Sequence, residues 1–233
     1  MVSIIIPVLN EEKLIAKTLE HFKMVKGHFE VIVVDGGSSD STMEIAREFA
    51  KVIESPTGRA TQMNKGAEIA NGDILLFLHA DTLLPPEAID CIQEAFTNCE
   101  VVGGRFKISL DNQKAIYRII SGLINLRDRF TKGFTGDQGI FIQKDAFKRL
   151  GGFREFSLME DLDLARRMRR TGPPEHQWRA GKLVRLPLSV TTSARRWEKH
   201  GLIRTILLMW LIRILFLLGI SPSWLRPLYD EVR

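Results

Sequence analysis

Apolar residues come in short runs early in the chain, VSIIIPV (2–8), EVIVVD (30–35), AKVIES (50–55) and DILLFLH (73–79), with helix-spaced patterns between them. Strands alternating with helices in this way predict βαβ units that build a parallel sheet. The first intervening helix is expected after Asn10, read as its N-cap, with Glu11 and Glu12 in the first turn where they favour the helix dipole. The second is expected after Ser41, whose spacing to Glu44 is that of a capping box ahead of Ile45, Ala46 and Phe49. Residues 56–73 read as a loop and then a helix closed by Gly72, and Pro86 to Phe96 as a further helix.

Beyond residue 100 the rhythm changes to a longer strand, VVGGRFKISL (101–110), a helix at 113–126 and a loop, GFTGDQG (133–139). A strand GIFIQ (139–143) and a helix KDAFKRL (144–150) follow. The segment MEDLDLARRMRR (159–170) opens a helix with Glu160, Asp161 and Asp163 in its first turn. Residues one or two apart do not share a helix face, so these three acids are expected to point in different directions. Short strands near LVRLP and SVTTS precede an apolar run at 202–220.

At 233 residues, 45% hydrophobic and 26% charged, with no linker or repeat, the chain reads as one large α/β domain with an appendage. The boundaries expected are 1–193 for the domain, with halves at 1–100 and 101–193, and 194–233 for a basic, apolar helical extension. Only two cysteines occur, Cys91 and Cys99, eight apart in one expected helix, and the N-terminus MVSIIIPVLNEE has no basic region or cleavage site. Both features point to a reducing cytoplasm. The net charge of +5 hides an asymmetry: residues 1–159 carry 19 Lys/Arg against 21 Asp/Glu, and residues 160–233 carry 14 against 7. That basic third sits beside apolar sequence and holds no nucleic-acid motif, which argues against DNA or RNA as a partner.

Ligands of parallel α/β sheets bind beyond the carboxyl ends of the strands, where the strand order reverses. Three such ends are polar here: Leu9-Asn10-Glu11, Asp35 and His79-Ala80-Asp81. Each residue has a structural use as well, since Asn10 or Asp81 can cap a helix and Asp35 can close a turn through GGSSDS. No GxGxxG fingerprint and no GxxxxGK[ST] loop is present, which removes the main support for hydride transfer and P-loop hydrolysis. Carboxylates with few histidines suit a hard divalent cation, magnesium or manganese, holding phosphate oxygens.

SIIIPVLNEE, EVIVVDGGSSDST, NKGAEIANGDILLFLHADT and MEDLDLARRMRR, in this order, resemble the successive motifs of family-two glycosyltransferases with the GT-A fold, over residues 1 to about 170. GRATQMNKGA, LLFLHADT, GDQGIF, LMEDLDLARR and SARRW are further similar to a bacterial subgroup described as arsenosugar-biosynthesis or carotenoid-type glycosyltransferases. The resemblance implies a mostly parallel, Rossmann-like central sheet flanked by helices and ending in an apolar helix. It implies a metal-dependent, inverting transfer of sugar from a nucleotide-sugar, a UDP-sugar by preference, to an acceptor hydroxyl.

On the same resemblance, Asp81 of HAD matches the last carboxylate of Asp-x-Asp and would bind the metal that bridges the donor's phosphates. His79 replaces the usual first aspartate; contact with ribose or metal and a packing role both stay open. Pro7, Leu9 and Glu11 would line the nucleotide pocket, Asp35 would accept from uracil N3–H, and Arg59 would approach base or phosphate. Asp161 matches the catalytic base. Asp137, Gln138, Glu160, Arg196 and Trp197 would meet a small-molecule or lipid acceptor, with Ser193 standing where the QxxRW motif has Gln; for Arg196 and Trp197 a snorkelling surface cluster stays open as well. A non-catalytic nucleotide-sugar or membrane-binding scaffold is the competing class; a sugar-nucleotide pyrophosphorylase lacks its GxGxRxxPLT start here.

The run 202–220 holds Arg213 well inside it, at a cost of about 2.5–3.5 kcal/mol for a spanning helix. Arg204 and Arg213 are nine residues apart, about 180° around a helix, so no single polar face is expected. Such a helix needs cover from its own domain, from a second copy, or from a membrane interface on the inner face of the cell membrane.

Overall fold

In a computed structural model, residues 1–131, 135–169 and 181–230 are described, without the side chains at 129–131, 196, 200, 203 and 230. The apolar runs become strands β1 (Val2–Val8), β2 (Phe29–Asp35), β3 (Lys51–Glu54) and β4 (Ile74–Phe77), with β5 (Thr82–Leu83) just beyond. Helices α1 (Glu12–His21), α2 (Thr42–Arg47), α3 (Arg59–Ile69) and α4 (Ala88–Ala95) lie between or after them. The second half adds β6 (Val101–Leu110), α5 (Ala115–Thr131), β7 (Ile140–Gln143), α6 (Lys144–Arg149), α7 (Glu160–Arg169) and β8 (Lys182–Thr192). Helices α8 (Arg195–His200), α9 (Leu202–Leu217) and α10 (Pro222–Asp230) close the chain.

The strands form one sheet in the order β3-β2-β1-β4-β7-β6-β8-β5. Its first four strands are parallel, as the βαβ pattern requires. The second half is mixed: β6 and β8 are parallel, whereas β7 pairs antiparallel with both β4 and β6, and β5 antiparallel with β8, so the sheet as a whole is mostly parallel as expected. Strand β1 shows why both faces are covered. Ile4, Ile6 and Val8 join Ile15, Leu19, Ile89 and Ile92 in one core, while Ile5 joins Ala60, Met63 and Ala67 in the other. Alternate residues of a strand point to opposite faces, and a sheet buried on both sides needs apolar residues at every position. Helix α3 approaches so closely that a Cβ at Gly66 would stand 2.5 Å from Cγ2 of Ile5.

LVRLP and SVTTS, expected as two short strands, are one strand. Between the partners Arg105↔Arg185 and Lys107↔Ser189 the register shifts, so β8 bulges over Leu186–Leu188. Pro187 lacks a donor for the ladder and falls in that bulge. The far end of β8 pairs Thr192 with Thr82, which carries the following SARRW segment to the HADT loop.

Helix α9 rests on the domain through Ile212 and Phe216, which are buried with Leu158, Met159, Leu162, Leu225 and Tyr229. Its other face stays in solvent, with Leu207 at 65% and Leu218 at 76% exposure. Among the described residues no helix is long and apolar enough to cross a membrane.

Candidate active site

The strand order reverses between β1 and β4, and the loops at those carboxyl ends, with the one after β2, build the first wall of the site. The loops are laced together. Asn10 adopts φ 54°, its Oδ1 accepts from Ser39 N at 2.8 Å, and its own N–H donates to Ser38 Oγ at 2.9 Å. Asn10 is therefore a loop clamp; the N-cap position of α1 belongs to Glu11, whose side chain makes no capping bond. Ser41 likewise stands at the N-cap of α2 without a capping bond, while Asp40 Oδ1 takes the N–H of Thr42. Gln62, which the sequence reading passed over, is buried on α3 and donates from Nε2 to the carbonyls of Val8 and Val34, both at 2.8 Å. It ties the ends of β1 and β2, and so positions Pro7 and Leu9, both half-buried, beside Asp35.

Asp35 is fully buried. Its Oδ2 accepts from Gly37 N and Ser38 N, and its Oδ1 from Ser38 Oγ at 2.5 Å. The turn-closing use weighed from the sequence is thus realised.

Asp81 and Glu11 meet over one cation. The Nη2 of Arg195 lies 3.3 Å from Asp81 Oδ2 and 3.6 Å from Glu11 Oε2. Asp81 Oδ1 also takes the hydroxyls of Thr82 and Thr192 at 3.4 Å. Arg195 is the SARRW residue to which the resemblance gave no role, and only the β5–β8 pairing reveals its position. Two carboxylates about one guanidinium nitrogen suit a hard cation, and no group of three or more His, Cys, Asp or Glu among the described residues could enclose one. The donor set fits a metal whose remaining ligands come from a phosphate-bearing substrate.

A second pocket is lined by Arg59, Met63, Phe77, His79, Gly136, Ile140, Phe153, Glu160 and Asp161. Asp161 Oδ2 accepts from Gly136 N at 2.6 Å and Oδ1 from Leu162 N at 2.7 Å. Its pKa is nevertheless pushed up to about 7, by burial first and then by the charge of Glu160. Glu160 does not turn elsewhere as expected; it is buried in the same pocket and pairs with Arg59 Nη1 at 3.6 Å. Burial opposes the charge on Arg59, but Glu160, Tyr229 and Asp161 together hold its guanidinium above its ordinary pKa. Asp163 does turn away, to Arg154 and Arg167. The residue before the trio, Met159, has φ 67°, a left-handed conformation that is costly for this side chain and aims Glu160 and Asp161 into the cleft.

His79 lies across Gly136 from Asp161: a Cβ at Gly136 would stand 2.7 Å from His79 Nε2 and 3.7 Å from Asp161 Oδ2. His79 lines this pocket, while Asp81 lines a neighbouring one with Lys17, Thr18 and Asp111. Asp137 takes the hydroxyl of Thr135. Gln138, expected at an acceptor, is fully buried and donates to Asp128 Oδ2 at 2.5 Å, so it braces its loop from below. Trp197 is half-buried against a cluster of Leu110, Tyr117, Ile120 and Ala194. The side chain of Arg196 lies outside the described residues.

The model for Glycosyl transferase family 2 matches residues 3–151, which hold every strand and loop end of the first wall. The chain belongs to that family. A Pseudomonas fluorescens undecaprenyl-phosphate 4-deoxy-4-formamido-L-arabinose transferase is 32% identical over 163 residues, 64% of this chain and 47% of that one. A PGL/p-HBAD biosynthesis glycosyltransferase of Mycobacterium bovis is 39% identical over 93 residues, 36% of either chain. The glycosyltransferase chain thus spans about half the length of the former relative or less. Among solved structures, a mannosyltransferase of Pyrobaculum calidifontis with GDP-Man and Mn2+ aligns with TM-score 0.68 at 20% identity, over 99% of this chain and 68% of that one. S. aureus TarS 1-349 with UDP-GlcNAc aligns with TM-score 0.60 at 19% identity, over 82% and 58%. At such identities these two show the GT-A fold alone.

Proposed function

We propose that this glycosyltransferase moves a sugar from a nucleoside diphosphate sugar to an acceptor hydroxyl with inversion, Asp161 serving as the general base. The observation that carries the reading is one carboxylate in the cleft with its pKa near neutrality, held by two backbone N–H groups. A base so poised takes a proton efficiently near pH 7 and is oriented before the acceptor arrives. Attack from the side of Asp161, opposite the departing nucleotide, inverts the anomeric centre. Arg59 pairs with Glu160 beside Asp161, and the charge of Glu160 adds to burial in raising the pKa of the base.

Asp81 and Glu11 are the residues to hold magnesium or manganese, which when bound neutralises charge on the diphosphate. Pro7, Leu9 and Asp35 would line the base pocket, and a carboxylate that only accepts favours a base offering an N–H, as uracil does at N3. Calorimetry with UDP and GDP, with and without manganese, tests the donor; anomeric NMR of the product tests inversion. Turnover that survives Asp161→Asn would remove Asp161 as the base, and nucleotide binding without any turnover in the wild type would favour the scaffold reading.

Peripheral attachment to a lipid surface fits the same chain. Helix α9 exposes Leu207, Trp210, Leu211, Ile214 and Leu217, and α5 exposes a second stripe, Ile116, Ile119, Leu123 and Leu126. The charges among them, Arg118 and Arg204, are positive, which suits anionic lipid and disfavours a second copy of the same face. The polyprenyl-phosphate named for the Pseudomonas relative supports a lipid-linked acceptor.

A further inference from the structure

Arg105 and Arg185 are direct partners in the register of β6 and β8 and so lie side by side under α5. Arg105 Nη2 donates to the carbonyl of Asp128 at 2.9 Å and Arg185 Nη1 to that of Asn125 at 3.0 Å, one turn away on the helix. Arg127 joins them through two bonds to Asp128 Oδ1, from Nε at 2.9 Å and Nη2 at 2.8 Å. Three guanidinium groups therefore converge on one helical turn that offers a single carboxylate. Arg105 is only 4% exposed, and its Nε has no hydrogen-bond partner among the described residues. An orphaned guanidinium donor at such depth is costly, and like charges beside it raise the cost.

The surroundings add positive charge. Arg169 of α7 repels Arg105, and Arg127 and Arg169 repel Arg213 of α9, while Asp128 and Asp161 attract Arg213. The cluster lies next to the chemistry: Gln138 donates to Asp128 Oδ2 at 2.5 Å, and Gly136, two residues earlier, donates to Asp161. Arg127, Arg185 and Arg213 each keep a solvent-exposed edge, so an anion can reach the cluster.

We propose that Arg105, Arg127, Arg185 and Arg213 form a phosphate-binding site beside Asp161, which receives a phosphate group carried by the acceptor. Planar guanidinium forks match phosphate oxygens two at a time, and three such oxygens satisfy donors that one carboxylate cannot. The word acceptor rests on the glycosyltransferase reading; the anion site does not. The phosphate is either that of a lipid headgroup, delivered along the apolar faces of α5 and α9, or that of a soluble ester.

Calorimetric titration of the full chain with inorganic phosphate tests the site. Saturable binding is expected, weakened about tenfold or more in Arg185→Gln and in Arg213→Gln, the cost of losing a bond to a charged group. Arg47→Gln, an exposed cation paired with Glu54 at the far edge of the sheet, should bind as the wild type does. Competition by phosphatidic acid vesicles, but not by phosphatidylcholine vesicles, assigns the lipid source; phosphate binding without such competition assigns the soluble one. An isotherm unchanged in both glutamine variants, or no saturable binding in the wild type, overturns the proposal. Circular dichroism shows that the variants fold. UDP titration of the same samples keeps apart a failure of this site and a failure of the donor reading.

Discussion

Removing the charge at Asp161 should stabilise the protein and abolish its chemistry, and the sign of the first effect depends on pH. The carboxyl is pushed up to about 7 from an ordinary 3.8, by burial and then by Glu160, against the help of the N–H groups of Gly136 and Leu162. A shift of about three units is worth at most about 4 kcal/mol. Partial exposure of the side chain lowers that to about 2–3 kcal/mol. Because the folded-state pKa is raised, the folded chain still holds a proton that the unfolded chain has lost between about pH 4 and 7. Stability therefore falls as pH rises through that window, and the penalty is complete above it. Asp161→Asn removes the penalty but leaves one oxygen where two now accept, a loss of about 1 kcal/mol. The variant should melt about 2–6 °C above the wild type near pH 8.5 and no higher than it near pH 5. Nucleotide release should fall about 10²–10⁴-fold, and wild-type turnover should rise with pH through about 7. A melting difference that is the same at both pH values would refute the raised pKa, and retained turnover would remove Asp161 as the base.

Gly136→Ala places a methyl group 2.7 Å from His79 Nε2, so turnover should drop about tenfold or more with less than about 1 kcal/mol lost in urea unfolding; unaltered kinetics would show that His79 yields freely. Arg195→Gln frees Asp81 and Glu11 from a half-exposed cation, and manganese binding without nucleotide, followed by electron paramagnetic resonance, should tighten about 2–5-fold; unchanged affinity would mean the metal does not compete for that place. Leu123→Glu with Trp210→Glu should abolish flotation with anionic vesicles, and undiminished flotation would remove α5 and α9 as the lipid contact.

The strands of the parallel half were legible because a sheet covered on both faces leaves a mark in the sequence, continuous apolar runs such as VSIIIPV, that hardly depends on distant residues. The expected β1 and β6 match the observed bounds, while α5 runs five residues past its expected end at 126. Caps were less legible. Asn10 has the right side chain for an N-cap, but the loops after β1 and β2 lie side by side, and Asn10 Oδ1 and Ser38 Oγ are each taken by the other loop's backbone. No spacing rule within one segment contains that information.

The same limit explains which parts of the site could be read. Asp161 and Asp81 sit in local motifs, so the resemblance to family-two glycosyltransferases could nominate them. Arg195 acquires its partners only because Thr192 pairs with Thr82 across 110 residues, and Arg105 and Arg185 become neighbours only through the β6–β8 register. Gln138 shows the reverse error: a polar residue in a glycine-bounded loop looks available to a ligand, yet Asp128, ten residues earlier on α5, draws it inward. Long-range pairing thus decides where cations gather, and on the proposed function cations, more than carboxylates, would separate a donor side at Arg195 from an acceptor side at Arg213. That division makes a sharp demand on any acceptor: its anionic group must lie on the α5–α9 side of Asp161, away from the diphosphate it displaces, or like charges would oppose the attack.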